Sequence, residues 1–449
     1  MARSGLELDL GMGTLMVKRV LMVAFHFPPL VGSSGIQRTL RFAQHLPEFG
    51  WEPAVLSAHP RAYPNMAAES IREIPRNLEV RRAFALDAAR HLSVAGVFPR
   101  LLALPDRWSS WCLGAVPAGL RLMRTFKPDV LWTTYPVASA HLIGAALHRL
   151  TGIPWVADFR DPMAQEDYPA DRLTHRAFEW IERRTLRACA KAIFTAPGAL
   201  RLYAERYPEL PASRLGIIEN GYDEASFAGL EARASLERTE GERPFTLVHS
   251  GTVYSSERDP RPLFAALGEL LREGVISGTS VKLVLRASGN DAYLNELAGA
   301  EGIREIVSLQ PAIGYRAALE EMQRSDGLLV LQAANCNYQV PAKLYEYLRA
   351  RRPILALTDP QGDTAAVLRS AGVDSIAPLD SKESIRRTLV TFLEQLRARR
   401  APLPSEAAVA ACSRRARTAQ LAAVLDAARD APGRRSLAQL DALRRDPHA

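Results

Sequence analysis

Cysteine is scarce in this chain of 449 residues. Cys112, Cys189, Cys336 and Cys412 are its four, and no two form a Cys-x-x-Cys pair. That spacing argues against a zinc ribbon and a disulfide framework, and it suits a reducing cytosol. Long apolar runs are missing too. No stretch reaches the roughly 20 apolar residues that a bilayer-spanning helix needs. The richest candidate, 98–126 with Trp108 and Trp111, is broken by prolines and arginines. The opening MARSGLELDLGMGTLMVKRV has no apolar core of the signal-peptide kind, so residues 1–16 read as a loose extension, with Met16 an alternative start. Phosphate and catalytic signatures are also absent: no Walker A loop, no His-Glu-x-x-His, no Gly-x-Ser-x-Gly, no Asp-x-Asp. The glycines after the first apolar run are Gly32 and Gly35, without the Gly-x-Gly-x-x-Gly spacing of a dinucleotide enzyme.

What is present is alternation. VLMVAF (20–25) reads as a buried strand, HFPPLVGSSG as a glycine loop, and IQRTLRFAQHL as a helix with Ile36, Leu40, Ala43 and Leu46 at helical spacing. The pattern repeats through DVLWTT, PWVADF and KAIFTA. It weakens over the charged stretch 221–244 and restarts at FTLVHSG, VKLVLRASG, EIVSLQP and GLLVLQA. Strands alternating with helices imply parallel sheets covered on both faces. A chain this long favours two domains. The expected division is 1–16 extension, 17–225 first Rossmann-like domain, 226–243 linker, 244–400 second Rossmann-like domain, 401–428 helices without strand partners, and 429–449 a basic tail. Two such domains face each other across a cleft at the carboxyl ends of their strands. The net charge of +8 suits phosphorylated substrates, an anionic surface, or a solvated Arg-rich exterior.

Four segments in order resemble a family 4 glycosyltransferase of the GT-B fold, from about Val17 to about Ala428. They are FHFPPLVGSSGIQRTLRFAQHLPEFGWEPAVLS, GIPWVADFRDPM, IIENGYDEASF and NYQVPAKLYEYLRARRPILAL. The second is similar to the Asp-x-Arg-Asp-Pro segment of a polysaccharide-building subgroup. The resemblance implies an α/β fold, GT-B, with C-terminal helices crossing back to the N-terminal domain. It implies a retaining transfer from a nucleotide-sugar, UDP- or GDP-linked, to an acceptor such as a lipid-linked glycan. It implies no cofactor, no metal and no nucleic acid, and a cytoplasmic enzyme at the inner face of the membrane. The donor would sit on the second domain and the acceptor on the first.

By that resemblance the donor residues are Gly251, Thr252, Arg258, Lys343 and Glu346. Gly251 would allow close backbone approach. Arg258 stands where the family has a diphosphate-binding lysine, and Thr252 stands where it often has an arginine. Pro341 suits a first helical turn. Glu346 would be the second glutamate of a Glu-x7-Glu motif, accepting from ribose hydroxyls. The bland alternative is a surface Lys343–Glu346 pair worth a few tenths of a kcal/mol. The first glutamate is replaced by Tyr338, which leaves Asn335, Asn337 or Gln339 as candidates to offer hydrogen bonds there instead. A front-face displacement needs no carboxylate there. Asp161, Arg160 and Asp158 end a strand at the cleft, with Asp161 the better candidate for a base or acceptor contact and Arg160 for an acceptor phosphate. A structural Asp–Arg–Asp network is the alternative. Gly35 and Arg38 are the remaining acceptor candidates. His26 and His141 read as packed, and Trp108 and Trp111 as either core or membrane-surface aromatics. The competing functions are a nucleotide-sugar 2-epimerase of the same fold and a non-catalytic nucleotide-sugar-binding subunit.

Overall fold

The computed structural model describes residues 17–32, 34–93, 100–166, 168–230 and 243–431. The expected extension at 1–16, most of the linker and most of the basic tail lie outside them. The first sheet contains β1 (Lys18–Val23), β2 (Trp51–Ala58), β3 (Glu79–Ala83), β4 (Val130–Thr134), β5 (Trp155–Arg160), β6 (Lys191–Phe194) and β7 (Leu215–Ile217). Its order is β3-β2-β1-β4-β5-β6-β7, with every pairing parallel. The second contains β8 (Phe245–Ser250), β9 (Val281–Arg286), β10 (Val307–Gln310), β11 (Gly327–Leu331), β12 (Ile354–Leu357) and β13 (Ile376–Ala377), in the parallel order β10-β9-β8-β11-β12-β13. In both sheets the order reverses beside the first strand, at β1/β4 and β8/β11, where an α/β sheet opens a crevice.

Helices of the first half are α1 (Ser34–His45), α2 (Ala88–His91), α3 (Trp111–Phe126), α4 (Ser139–Thr151), α5 (Arg172–Ala188), α6 (Pro197–Arg206) and α7 (Glu224–Phe227). The second half adds α8 (Arg261–Arg272), α9 (Asp291–Ala300), α10 (Tyr315–Arg324), α11 (Ala342–Ala350), α12 (Asp363–Ser370), α13 (Lys382–Arg397), α14 (Glu406–Ala411) and α15 (Arg414–Asp430). Strand alternation sorts the first core. Leu21 and Val23 of β1 join Trp111, Leu147, Trp155 and Phe178 on one side. Val20 and Met22 join Leu40, Trp51 and Trp132 on the other. That second core also takes Leu421, Leu425 and Ala428, so α15 crosses back onto the N-terminal domain. The crossing is pinned where Tyr222 N donates to Cys412 O (3.2 Å) and Arg414 N donates to Tyr222 O (2.8 Å). All four cysteines are free. Among the described residues no helix is long and apolar enough to cross a membrane.

Of the two readings open for Trp108 and Trp111, the structure carries core packing. Trp111 is fully buried against Phe25, and the Trp108 indole N–H donates to Ala62 O (3.1 Å). His141 is buried as well, its Nδ1 bonded to Thr133 Oγ1 (2.8 Å), and burial pushes its pKa down to about 3.

Candidate active site

On the second domain, β8 ends at Ser250 and the chain turns at Gly251 with φ +120°. Gly251 N donates to Arg286 O (2.8 Å) and Val253 N to Ser288 O (2.9 Å), which fixes the turn at the strand end. Lys343, in the first turn of α11, reaches this turn and its Nζ donates to Ser250 O. The angle favours glycine, and a Cβ on Gly251 would lie 2.5 Å from Lys343 Nζ and push the ammonium aside. Arg258 folds back with Nη1 donating to Thr252 O (2.8 Å) and its guanidinium over the Tyr254 ring. Gly251, Thr252, Arg258 and Lys343 are thus brought together, with Thr252 offering its carbonyl to Arg258. Glu346 lies one turn along α11 and accepts from the Tyr315 hydroxyl (2.8 Å).

Lys343 and Glu346 do not spend their charges on each other, because each turns to a different partner. Burial, aided by the nearby Arg258 charge, lowers the Lys343 pKa to about 7 against the smaller opposing pull of Glu346. Burial raises the Glu346 pKa, while the Tyr315 hydroxyl, Arg414 and Lys343 act against that rise. A cation held below its ordinary pKa beside a glycine turn is primed to regain its proton when an anion arrives.

The loop before α11 is tied down differently from the expectation that its amides meet a sugar. Asn335 Nδ2 donates to Ser256 O (3.1 Å) and Asn337 Nδ2 to Asp359 Oδ2 (2.5 Å). Tyr338 packs against the core of the first domain. A Cβ on Gly198, at the start of α6, would meet Asn337 O at 2.7 Å and Tyr338 Cα at 3.0 Å. Asp363 seals the contact, accepting from Gly198 N and from Arg201 Nη2 (2.9 Å). The two domains therefore touch at the loop that carries Tyr338.

On the first domain, β5 carries a register shift between Asp158 and Arg160, and Arg160 takes φ +62°. A bulge with a non-glycine residue in the left-handed region re-aims side chains at a strand end. The structure separates the three candidates. Asp158 is fully buried and holds Arg38 in a two-pronged ion pair, with both N–H···O distances 2.8 Å. Arg38 also donates to Ile218 O (2.9 Å) and Glu219 O (3.1 Å). Neither side chain reaches solvent, so the expectation that Asp158 or Arg38 contacts an acceptor is replaced by a buried positioning pair. Asp161 is partly exposed and accepts from Thr195 Oγ1 (3.2 Å). Arg160 lies beneath Gly35: a Cβ there would sit 2.6 Å from Arg160 Nη1 and 2.9 Å from His26 Nδ1. Burial and the Arg160 charge push the His26 pKa down to about 4. Replacing Gly35 by alanine is expected to displace Arg160 and cut transfer about tenfold or more while leaving nucleotide affinity unchanged. Steady-state kinetics beside nucleotide titration checks this, and an equal loss of both would contradict it.

Three residues of the site were not legible beforehand. Glu182 is fully buried and accepts from Met163 N (3.1 Å), Ala164 N (2.9 Å), Arg206 Nη1 (2.8 Å) and the Tyr203 and Tyr207 hydroxyls. It fixes the loop that follows Asp161. Arg414 opens α15, is buried, and acts electrostatically on Glu346. Tyr315 opens α10 after a Pro-Ala-Ile-Gly turn. Tyr315 and Arg414 share a helix start while Glu182 stands in the middle of α5, and sequence spacing does not say which helices converge. Among the described residues no group of three His, Cys, Asp or Glu side chains is placed to hold a metal ion.

Comparisons with known proteins bear on this geometry. Residues 34–221 match the model of the glycosyl transferase 4-like domain. No curated protein matches. The chain is similar to the structure of HepE from Anabaena in complex with UDP and glucose, at 14% identity and TM-score 0.60, covering 91% of this chain and 100% of that one. It is similar to sucrose-phosphate synthase from Thermosynechococcus elongatus, at 13% identity and TM-score 0.57, covering 96% and 99%. It is also similar to a putative UDP-N-acetylglucosamine 2-epimerase from Listeria monocytogenes, at 12% identity and TM-score 0.54, covering 91% and 96%. At such identities the likeness is one of fold. The chain is therefore similar to a glycosyl transferase 4-like domain over residues 34–221, within a two-domain GT-B fold.

Proposed function

We propose that this chain transfers a sugar from a nucleotide-sugar to a glycan acceptor, with retention at the anomeric carbon and without a metal ion. The observation that carries the reading is the convergence of Gly251, Arg258 and Lys343 at one strand end, with Glu346 one helical turn away. Two cations and a glycine turn suit a departing diphosphate, and a carboxylate suits ribose hydroxyls. Binding of UDP by a protein of similar fold supports a nucleoside diphosphate there. In the step proposed, the bond from the anomeric carbon to the diphosphate oxygen breaks and the acceptor oxygen bonds to that carbon from the same face. The acceptor proton passes to the departing phosphate oxygen, with Asp161 orienting the acceptor hydroxyl. Tyr338 in place of a carboxylate favours this front-face route over one through a covalent glycosyl intermediate. The +8 charge and the polysaccharide-type segment around Asp158–Pro162 support a lipid-linked acceptor at a cytoplasmic membrane face, in bacterial surface polysaccharide synthesis.

Screening nucleotide-sugars for thermal stabilisation tests the donor assignment. One nucleotide class should raise the melting temperature, and Glu346→Ala should weaken its binding about 10- to 100-fold. If no nucleotide or nucleotide-sugar shifts melting at high concentration, the donor site is misassigned. Likeness to an epimerase structure keeps one rival open. Release of free nucleotide only in the presence of acceptor separates transfer from epimerisation.

A further inference from the structure

The outer face of α5 carries charge that the cleft does not use. Arg172, Arg176, Arg183, Arg184 and Arg187 are all exposed there, on one side of the helix, with Glu179 the single exposed acid. Leu173 and Trp180 share that side and are 45% and 56% exposed. The neighbouring α4 contributes Arg149 and Leu150, the latter 53% exposed. Between the two helices runs a groove of about 590 Å³, lined by His148, Arg149, Trp180, Arg183, Arg184 and Arg187, with no carboxylate in its wall. Among the described residues these four arginines have no carboxylate partner, and Arg184 instead lies over the Trp180 ring at 5.4 Å. Other arginines of this chain are neutralised: Arg38 by Asp158, Arg206 by Glu182, Arg286 by Glu321. Four like charges around one groove repel, and an arriving anion turns that repulsion into attraction.

The setting says which anion. Exposed tryptophan and leucine flanking arginines form the profile of a helix lying in a membrane interface. The strip is also long, since 17 residues span about 25 Å of helix. At its N-terminal end the Arg100–Asp171 pair brings in Leu101 and Leu102, 73% and 47% exposed. That end follows directly on the loop from Asp161, so a surface held along α5 lies beside the acceptor half of the cleft.

We propose that the α4–α5 face docks on a bilayer containing anionic phospholipid. The arginines take phosphate headgroups, and Trp180, Leu150 and Leu173 enter the interface. The proposal rests on the reading that the acceptor is lipid-linked. Co-sedimentation of the full chain with phosphatidylglycerol–phosphatidylcholine vesicles, against phosphatidylcholine alone, tests it. Wild type should bind the anionic vesicles only, and less as salt rises. R183A/R184A/R187A should bind on the order of 100-fold more weakly, from about fivefold per arginine. Its nucleotide-induced thermal shift should match wild type, which shows that it is folded. Equal binding by wild type and variant, or no binding by wild type, overturns the proposal. Stabilisation of wild type but not the variant by inorganic phosphate, without vesicle binding, also overturns it and makes the groove a site for free phosphate. Vesicle binding alongside transfer only to soluble sugars would instead overturn the lipid-linked acceptor and leave the docking face standing.

Discussion

Lys343→Met is expected to lower kcat/KM for sugar transfer by about 100- to 1,000-fold, the scale of removing one preorganised donor from a developing oxyanion. The side chain sits where the α11 start meets the β8 turn, with Nζ on the Ser250 carbonyl and a glycine held open beneath it. Its pKa of about 7 gives the prediction a pH signature. Below that value Lys343 is protonated in the free protein, and a diphosphate meets a cation. Above it, binding must also take up a proton, so nucleotide affinity falls by up to tenfold per pH unit. Glu346, raised by burial, acts at the other end, losing its acceptor carboxylate as pH falls. Wild type should therefore bind nucleotide best near neutrality, and Lys343→Met should remove the alkaline fall. Titration calorimetry across pH reads this directly. An unchanged alkaline limb in Lys343→Met would assign the proton to another group. Lys343→Arg is the sharper control: it keeps the charge at every pH but fits poorly beside Gly251.

Much of the proposed donor half was legible in the chain. Short apolar runs ending in glycine place strand ends, Pro341 places a helix start, and the spacing from Lys343 to Glu346 then puts both in one turn. The acceptor half was less so, for a geometric reason. Asp158, Arg160 and Asp161 are neighbours in sequence, but strand residues alternate faces, and the bulge at 158–160 adds a further turn. Three neighbours there cannot all face one ligand. The partner that claims Asp158 is Arg38, 120 residues away on α1, and no local pattern links them. For Trp108 and Trp111 the sequence left core and surface both open, because exposure depends on which elements cover the start of α3 and the turn before it. The basic face of α5 shows in sequence only as a run rich in arginine. That its arginines have no carboxylate partner among the described residues is a property of the packed molecule.

Arg38→Met is expected to destabilise the first domain by about 3–5 kcal/mol, because it strands a buried carboxylate. The side chains of Arg38 and Asp158 are 2% and 0% exposed, so water cannot replace the lost guanidinium. Asp158 would keep the Thr134 hydroxyl (2.9 Å), a neutral donor in place of the paired guanidinium. The carbonyls of Ile218 and Glu219 would lose their donor where the chain leaves the first domain. A loss of that size lowers the melting temperature on the order of 10 °C for a domain of this length. The pair is costly to break but need not be stabilising overall, since apolar replacement of both charges is often neutral. The R38M/D158L double variant should thus regain most of the loss. Nucleotide stabilisation should persist in both variants, because Gly251, Arg258, Lys343 and Glu346 all lie on the other domain. Transfer by the double variant is the decisive measurement. If Asp158 only positions the strand end, a folded double variant retains measurable transfer with a raised acceptor KM. If it transfers nothing while binding nucleotide normally, Asp158 acts on the acceptor itself and the positioning role assigned to the pair is wrong.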